Sequence, residues 1–214
     1  YRASPVKRVW IEKPDGGERP LGIPTTEDKI VQCAVAEILN CIYEEDFLGF
    51  SYGFRPGRNQ HQALQALQTV LQKGRVNWVL DADLSKFFDT IDHKELMAVI
   101  QHRVKDRNIL RLIGKWLAAG TVDADGRRIR TKTGTPQGGV ISPLLANIFL
   151  HYVLDQYVHQ WRQSKAKGEL YIVRYADDFV ICSEFGEDVK QLLSDLSARF
   201  EAYKLKLNRK KTRL

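Results

Sequence analysis

Two adjacent carboxylates, Asp177 and Asp178, stand between two short apolar runs, Tyr171-Ile172-Val173 and Phe179-Val180-Ile181-Cys182. Runs of this kind separated by a few residues read as a hairpin with the acids at its turn. Neighbouring side chains of a strand point to opposite faces, so only a tight turn brings both acids toward one spot. Like charges held together repel unless a cation neutralises them. The pair therefore points to a divalent metal, and Mg²⁺ prefers carboxylate oxygens. An Asp-Asp turn can also be no more than a solvated turn, so a third acid matters. The run Asn77-Trp78-Val79-Leu80-Asp81-Ala82-Asp83 reads as a buried strand ending in carboxylates. Asp83 can then converge with Asp177 and Asp178 from a neighbouring strand, and three carboxylates can hold two Mg²⁺ ions.

The chain is long enough, at 214 residues, for one large domain or two lobes sharing a core. With 43% hydrophobic and 28% charged residues it is globular, not disordered. A net charge of +7 favours a polyanionic partner. The cations concentrate in Lys7, Arg8, Lys13 and Arg19, in Arg127, Arg128, Arg130 and Lys132, and most densely from Lys204 to Arg213. The cysteines, Cys33, Cys41 and Cys182, lack zinc-type spacing. Cys33 and Cys41 fall in a helical apolar pattern and are expected to be buried thiols, which suits a reducing cytosol. No secretory signal is expected at the start. The most apolar stretch, Val140 to Leu154, is too short and polar to span a membrane.

Strands are expected over Val6 to Ile11 and Arg19 to Ile23. Thr25 or Thr26 can cap a helix from about Glu27 to Phe47 with Ile30, Ala34, Ile38 and Ile42 on its packed face. A second helix, about Asn59 to Gln72, aligns Leu64, Leu67 and Leu71, with Gly74 as its stop. Asp92 can cap a helix to Arg103, and another covers Ile109 to Ala119. Gly120 to Thr135 reads as a hairpin with Asp125-Gly126 at its tip. Ser142-Pro143 starts a long helix to about Gln163, and a last helix covers Glu187 to Tyr203 before a short terminal strand.

Six segments in chain order then carry a resemblance. They are Lys13-Pro14-Asp15-Gly16 through Arg19-Pro20-Leu21-Gly22-Ile23-Pro24, and Tyr52-Gly53-Phe54-Arg55-Pro56-Gly57-Arg58. Next come Asp83-Leu84-Ser85-Lys86-Phe87-Phe88-Asp89, and the Gln-Gly-Gly and Ser-Pro-Leu-Leu-Ala-Asn pattern between Gly134 and Asn147. Tyr175-Ala176-Asp177-Asp178 and Leu207-Asn208 to Lys211-Thr212 complete the set. Together they resemble a reverse transcriptase of the mobile group II intron type, over essentially the whole chain.

The resemblance implies that Asp83, Asp177 and Asp178 bind two Mg²⁺ ions, with the Leu84 carbonyl as a further ligand and Mn²⁺ as a substitute. One ion would activate a primer 3′-hydroxyl and the other stabilise the departing pyrophosphate. Phe88 stands where the family places the aromatic that blocks a ribose 2′-hydroxyl, although the strand-end phase does not separate it from Phe87. Lys13 and Arg19 correspond to finger cations that grip the triphosphate, and Gln137 to a glutamine near the incoming nucleotide. Lys211 corresponds to the palm lysine that protonates pyrophosphate, and by itself is one cation of a basic run. Arg55 and Arg58 are either template-phosphate contacts or structural salt-bridge partners.

The implied fold is α+β: reverse transcriptase fingers and palm, the palm an antiparallel ferredoxin-like sheet with helices on one face. Residues 1–76 would be fingers, with part of 104–140 returning to the fingers/palm junction, and 77–214 the palm. The chain starts close to the first finger strand and ends just after the last palm motif. An upstream extension, a helical thumb and DNA-binding or endonuclease regions are therefore expected to be absent, and the grip on a duplex weak. The implied function is RNA-directed DNA polymerase, adding dNTPs to a DNA or RNA primer on an RNA template. Group II intron RNA is the expected partner, a membrane is not, a homodimer is left open, and the setting is the bacterial cytoplasm. Three alternatives stand beside it: an RNA-binding splicing (maturase) module using the palm as scaffold, a retron- or CRISPR-associated reverse transcriptase, and another two-metal nucleotidyl transferase such as a cyclase. The Gln137 loop and the finger cations count against the last.

Overall fold

A computed structural model describes residues 1–12, 16–123, 125–129, 132–135 and 138–214. In chain order the elements are β1 (Val6–Glu12), β2 (Glu18–Ile23), α1 (Thr26–Tyr43), α2 (Gln60–Lys73), β3 (Trp78–Ala82), α3 (Phe87–Thr90), α4 (His93–Arg103) and α5 (Arg107–Ala119). There follow β4 (Thr121–Val122), β5 (Arg128–Ile129), α6 (Ser142–Leu150), a π-helical turn (His151–Asp155), α7 (Gln156–Ser164), β6 (Leu170–Tyr175), β7 (Asp178–Ser183) and α8 (Gly186–Ala202). Two compact units interleave along the chain: Tyr1–Tyr43 with Phe88–Ala146, and Glu44–Phe87 with Asn147–Leu214. The boundary expected near residue 76 falls inside the second unit.

The first unit holds a four-stranded sheet in the order β2-β1-β4-β5. β1 pairs antiparallel with β2, Val9 facing Leu21, and parallel with β4. The β4–β5 hairpin turns through Asp125-Gly126 as expected. Gly126 takes φ 81°, a left-handed conformation suited to glycine, and its N–H donates to the Asp123 carbonyl at 3.0 Å. Helix starts follow side-chain capping: the Thr25 hydroxyl accepts from Asp28 N–H at 3.3 Å, and Asp92 and Asp106 cap α4 and α5.

The packed face of α1 differs from the expected one. Gln32, Val35, Ala36, Leu39 and Tyr43 are buried, while Ile30 and Ile38 are 64% and 50% exposed and Ala34 is exposed. Cys33 and Cys41 are likewise exposed, and only Cys182 is buried. The helix carries apolar residues on two sides, and periodicity cannot say which the core takes. Here it takes the side bearing Tyr43, whose hydroxyl donates to the Ile100 carbonyl at 3.2 Å. In α2, capped by Asn59 and Gln62 in a reciprocal box, Ala63 is buried whereas Leu64 and Leu71 are exposed.

The second unit is built on an antiparallel sheet in the order β3-β7-β6. α8 packs on it through Val189, Leu192, Leu196 and Phe200, each fully buried and each contributing roughly 1.5–3 kcal/mol. The Phe200 ring meets Phe179 edge-on at 6.4 Å. α6, the π-helical turn and α7 form one continuous helical run. The sequence expectation of a single long helix holds in extent but did not include the π-helical turn. No helix among the described residues is long and apolar enough to cross a membrane.

Candidate nucleotidyl-transfer site

The period-2 alternation of β3 sets the first acid. Leu80, Ala82 and Leu84 are buried while Val79 and Asp81 are exposed, so Asp83 falls on the open face. On β7, Phe179 and Ile181 are buried and Asp178 is exposed, in the same phase. Ala82 pairs with Phe179 as the last pair of the ladder, and Asp83 and Asp178 adjoin that pair on the two strands. Asp177 lies in the two-residue turn between β6 and β7, beside Ala176 at φ 57°.

The chain end supplies the cation. Residues 206–213 run along β3: Asn208 N–H donates to the Asp83 carbonyl at 2.8 Å, and Asp81 and Arg213 exchange backbone bonds at 2.9 Å. A turn then closes on the Asn208 carbonyl, which accepts from Lys211 N–H at 3.0 Å and Thr212 N–H at 2.8 Å. This aims Lys211 back at the acids, with Nζ 2.9 Å from Asp83 Oδ2. Asn208 Nδ2 donates to the same oxygen at 3.1 Å.

Burial pushes the Asp177 carboxyl above the usual range, and the charges of Asp178 and Asp83 add to it against a lowering by Lys211. Asp178 is raised too, by packed surroundings although its side chain meets solvent, then by Asp83. Lys211 is held above the ordinary lysine value by its hydrogen bond to Asp83 and by the acids around it. The three carboxylates thus share one electrostatic site with a surplus of negative charge. Among the described residues no three such side chains are gathered closely enough to hold a metal ion as they stand; Lys211 supplies the counter-charge to Asp83. The donor chemistry still fits a hard divalent cation: the oxygens are anionic, and two of the acids are destabilised in their charged form, which a bound cation would relieve.

The other expected site residues divide. Phe87 is buried and Phe88 only half-buried, which separates two neighbours that the sequence left in competition. The Gly134–Thr135 backbone lies against Phe88 and Asp89: Thr135 N–H donates to the Phe88 carbonyl at 2.7 Å, and a Cβ at Gly134 would stand 3.0 Å from the Asp89 carbonyl. Arg19 is exposed on β2. Lys13 and Gln137 lie outside the described residues. Arg55 is not available to template phosphates. It is buried, with Nε and Nη2 on the Glu44 carboxylate at 2.8–3.2 Å and Nη1 on the Leu48 and Ser51 carbonyls. Arg58 donates to the Gly49 carbonyl at 2.6 Å and stacks over Tyr52 at 5.2 Å.

Sequence reasoning missed Asn208 as an Asp83 partner, and it missed Arg174. Arg174 is fully buried and ion-paired to Asp155, with bonds to Asn147, Ser51 and the Ala176 carbonyl. The signal was present: an arginine inside an otherwise apolar strand demands a buried partner.

The family model described as reverse transcriptase (RNA-dependent DNA polymerase) matches residues 11–214. Protein YkfC of Escherichia coli K12 is 36% identical over the whole chain, which spans 64% of that protein. The group II intron-encoded protein LtrA of Lactococcus lactis is 44% identical over 75% of the chain and 26% of its own length. The chain thus spans less than two thirds of these relatives. A telomerase from Candida albicans, solved in complex with a telomeric RNA fragment, superposes with a TM-score of 0.76 at 15% identity. That match covers 100% of this chain and 42% of the telomerase chain, and at such identity it speaks for the fold alone. Acid strands in matching phase, a lysine returned to them by the last turn, a family model over nearly the full length and intron-encoded relatives agree: the chain belongs to the reverse transcriptase (RNA-dependent DNA polymerase) family, of the group II intron type.

Proposed function

We propose that this chain carries the polymerising site of an RNA-directed DNA polymerase, adding dNTPs to a primer 3′-hydroxyl along an RNA template. The observation that carries the reading is geometric: Lys211 Nζ stands 2.9 Å from Asp83 Oδ2, at the end of the strand paired with the one that follows the Asp177-Asp178 turn. Asp83, Asp177, Asp178 and the Leu84 carbonyl would hold two Mg²⁺ ions, or Mn²⁺ in their place. Bound there, the ions would favour the ionised primer hydroxyl and neutralise the departing pyrophosphate. Lys211, released from Asp83, would give its proton to that pyrophosphate. Arg19, with Lys13, would grip the triphosphate, and Gln137 would lie near the nucleotide. The half-buried Phe88 would exclude a ribose 2′-hydroxyl. Residues 1–76, with part of 104–140, would form the fingers and 77–214 the palm, and group II intron RNA would be the natural partner, in a bacterial cytoplasm.

The test is primer extension with an oligo(dT) primer on an RNA template, with dNTPs and Mg²⁺. Extension that requires the divalent cation and is lost in Asp177→Asn/Asp178→Asn supports the reading. Extension unaffected by that variant sinks it. Binding of intron RNA that promotes splicing, retained in the same variant and without any extension, would favour the splicing-module alternative.

A further inference from the structure

We propose that Arg174 is the positioning residue of the acid hairpin, its buried guanidinium clamping the Ala176 carbonyl and so setting where Asp177 and Asp178 point. Arg174 pairs across from Phe179 and therefore lies on the helix-covered face, opposite the face that bears Asp83 and Asp178. From behind the turn every N–H of its fork is used. Nε and Nη2 grip the two Asp155 oxygens at 2.7 and 2.6 Å. Nη2 also reaches Ser51 Oγ at 2.7 Å, and Nη1 reaches Asn147 Oδ1 at 2.9 Å and the Ala176 carbonyl at 2.7 Å.

The last bond has a particular job. Ala176 sits at φ 57°, a left-handed conformation that costs an L-residue about 1–2 kcal/mol. Such a conformation persists only where its surroundings over-determine it. Here they do so twice. The guanidinium holds the carbonyl of Ala176, and the backbone of Gly53 closes on its amide. A Cβ at Gly53 would stand 2.3 Å from Ala176 N. Asn147 ties the two supports together, accepting from Arg174 and donating through Nδ2 to the Gly53 carbonyl at 2.6 Å. Asp155, the anchor, closes the π-helical turn His151–Asp155. Such turns are rare and mark places where a helix is re-registered for function.

The inference rests on reading Asp177 and Asp178 as working carboxylates, and its test has one arm that does not. Arg174→Lys keeps a positive charge for Asp155, but one ammonium cannot reproduce a planar fork. In the full chain, amide hydrogen exchange at residues 175–179 should quicken about tenfold or more while exchange in α8 and β3 stays as it was. Mn²⁺ affinity, read by electron paramagnetic resonance, should fall about tenfold or more. A core variant of similar melting temperature, Val189→Ala, should leave both readings unchanged. Turn exchange that does not change, or that rises equally through the whole chain, overturns the clamp. A wild-type chain that binds no Mn²⁺ would instead overturn the carboxylate reading, and the exchange arm would still decide the clamp. If Arg174→Lys does not fold, Asn147→Ala is judged by the same criteria, because it removes one acceptor of the guanidinium and the donor to Gly53 while leaving the ion pair.

Discussion

Arg174 and Asp155 form an ion pair with both side chains at 0% exposure, whereas in the Lys211–Asp83 pair the lysine is 67% exposed and the acid 13%. Both pairs lie beside the strands that bear Asp83, Asp177 and Asp178. The buried pair is saturated, because an unmet donor there would carry the whole cost of its desolvation. The other pair meets solvent through a flexible lysine stem and is worth little by itself. What differs is exchangeability: under the proposed function the first pair would only hold position, whereas the second would hand its carboxylate to a cation and its proton to a leaving group.

The contrast can be measured, first at the acids. Asp177→Asn or Asp178→Asn should lower primer extension by about 10³-fold or more, a transition-state loss of roughly 4 kcal/mol. Next comes the buried pair. Arg174→Ala should cost about 3–5 kcal/mol in urea unfolding, and Arg174→Met with Asp155→Leu should recover most of that loss. A single-variant cost below about 1 kcal/mol would erase the contrast. Lys211→Ala should change stability by less than about 1 kcal/mol yet slow extension roughly 10²-fold. Equal losses of stability for Lys211→Ala and Arg174→Ala would show that the two pairs are alike.

The smallest effect is the pH dependence. Asp177 and Asp178 titrate above their unfolded values, so the native state binds protons more readily than the unfolded chain there. In divalent-free buffer these two acids should add stability as pH falls through the raised pKa values, and Asp177→Asn should melt higher than wild type at neutral pH. Lys211 has the opposite window. Its raised pKa contributes stability that is present below the unfolded lysine value and is lost as pH rises through the folded one. A melting temperature flat across the acid range would mean that the carboxylates are not coupled as described.

Much of this was legible along the chain because it is local. The strand that ends in Asp83, the apolar runs around Asp177 and Asp178, the Asp92 cap and the Asp125-Gly126 tip each depend on neighbours a few residues away, although Trp78 and Val79, expected to be buried, are exposed. The failures have the opposite character. On α1 the chain offers two apolar sides, and the choice of the Val35, Leu39 and Tyr43 side was made by what those residues pack against. Arg55 reads as a surface cation beside a loop until the fold brings Glu44 and two carbonyls around it.

The family, the hairpin that carries Asp177 and Asp178, the strand that ends in Asp83 and the basic run that holds Lys211 can all be read along the chain. Long-range packing is what brings Lys211 to Asp83, buries Phe87 rather than Phe88, and sets Arg174 behind the turn. Periodicity and turn chemistry are properties of a few adjacent residues. The partner of a buried charge is chosen by chain closure, and Arg174 finds Asp155 nineteen residues away and Ser51 on a different segment altogether.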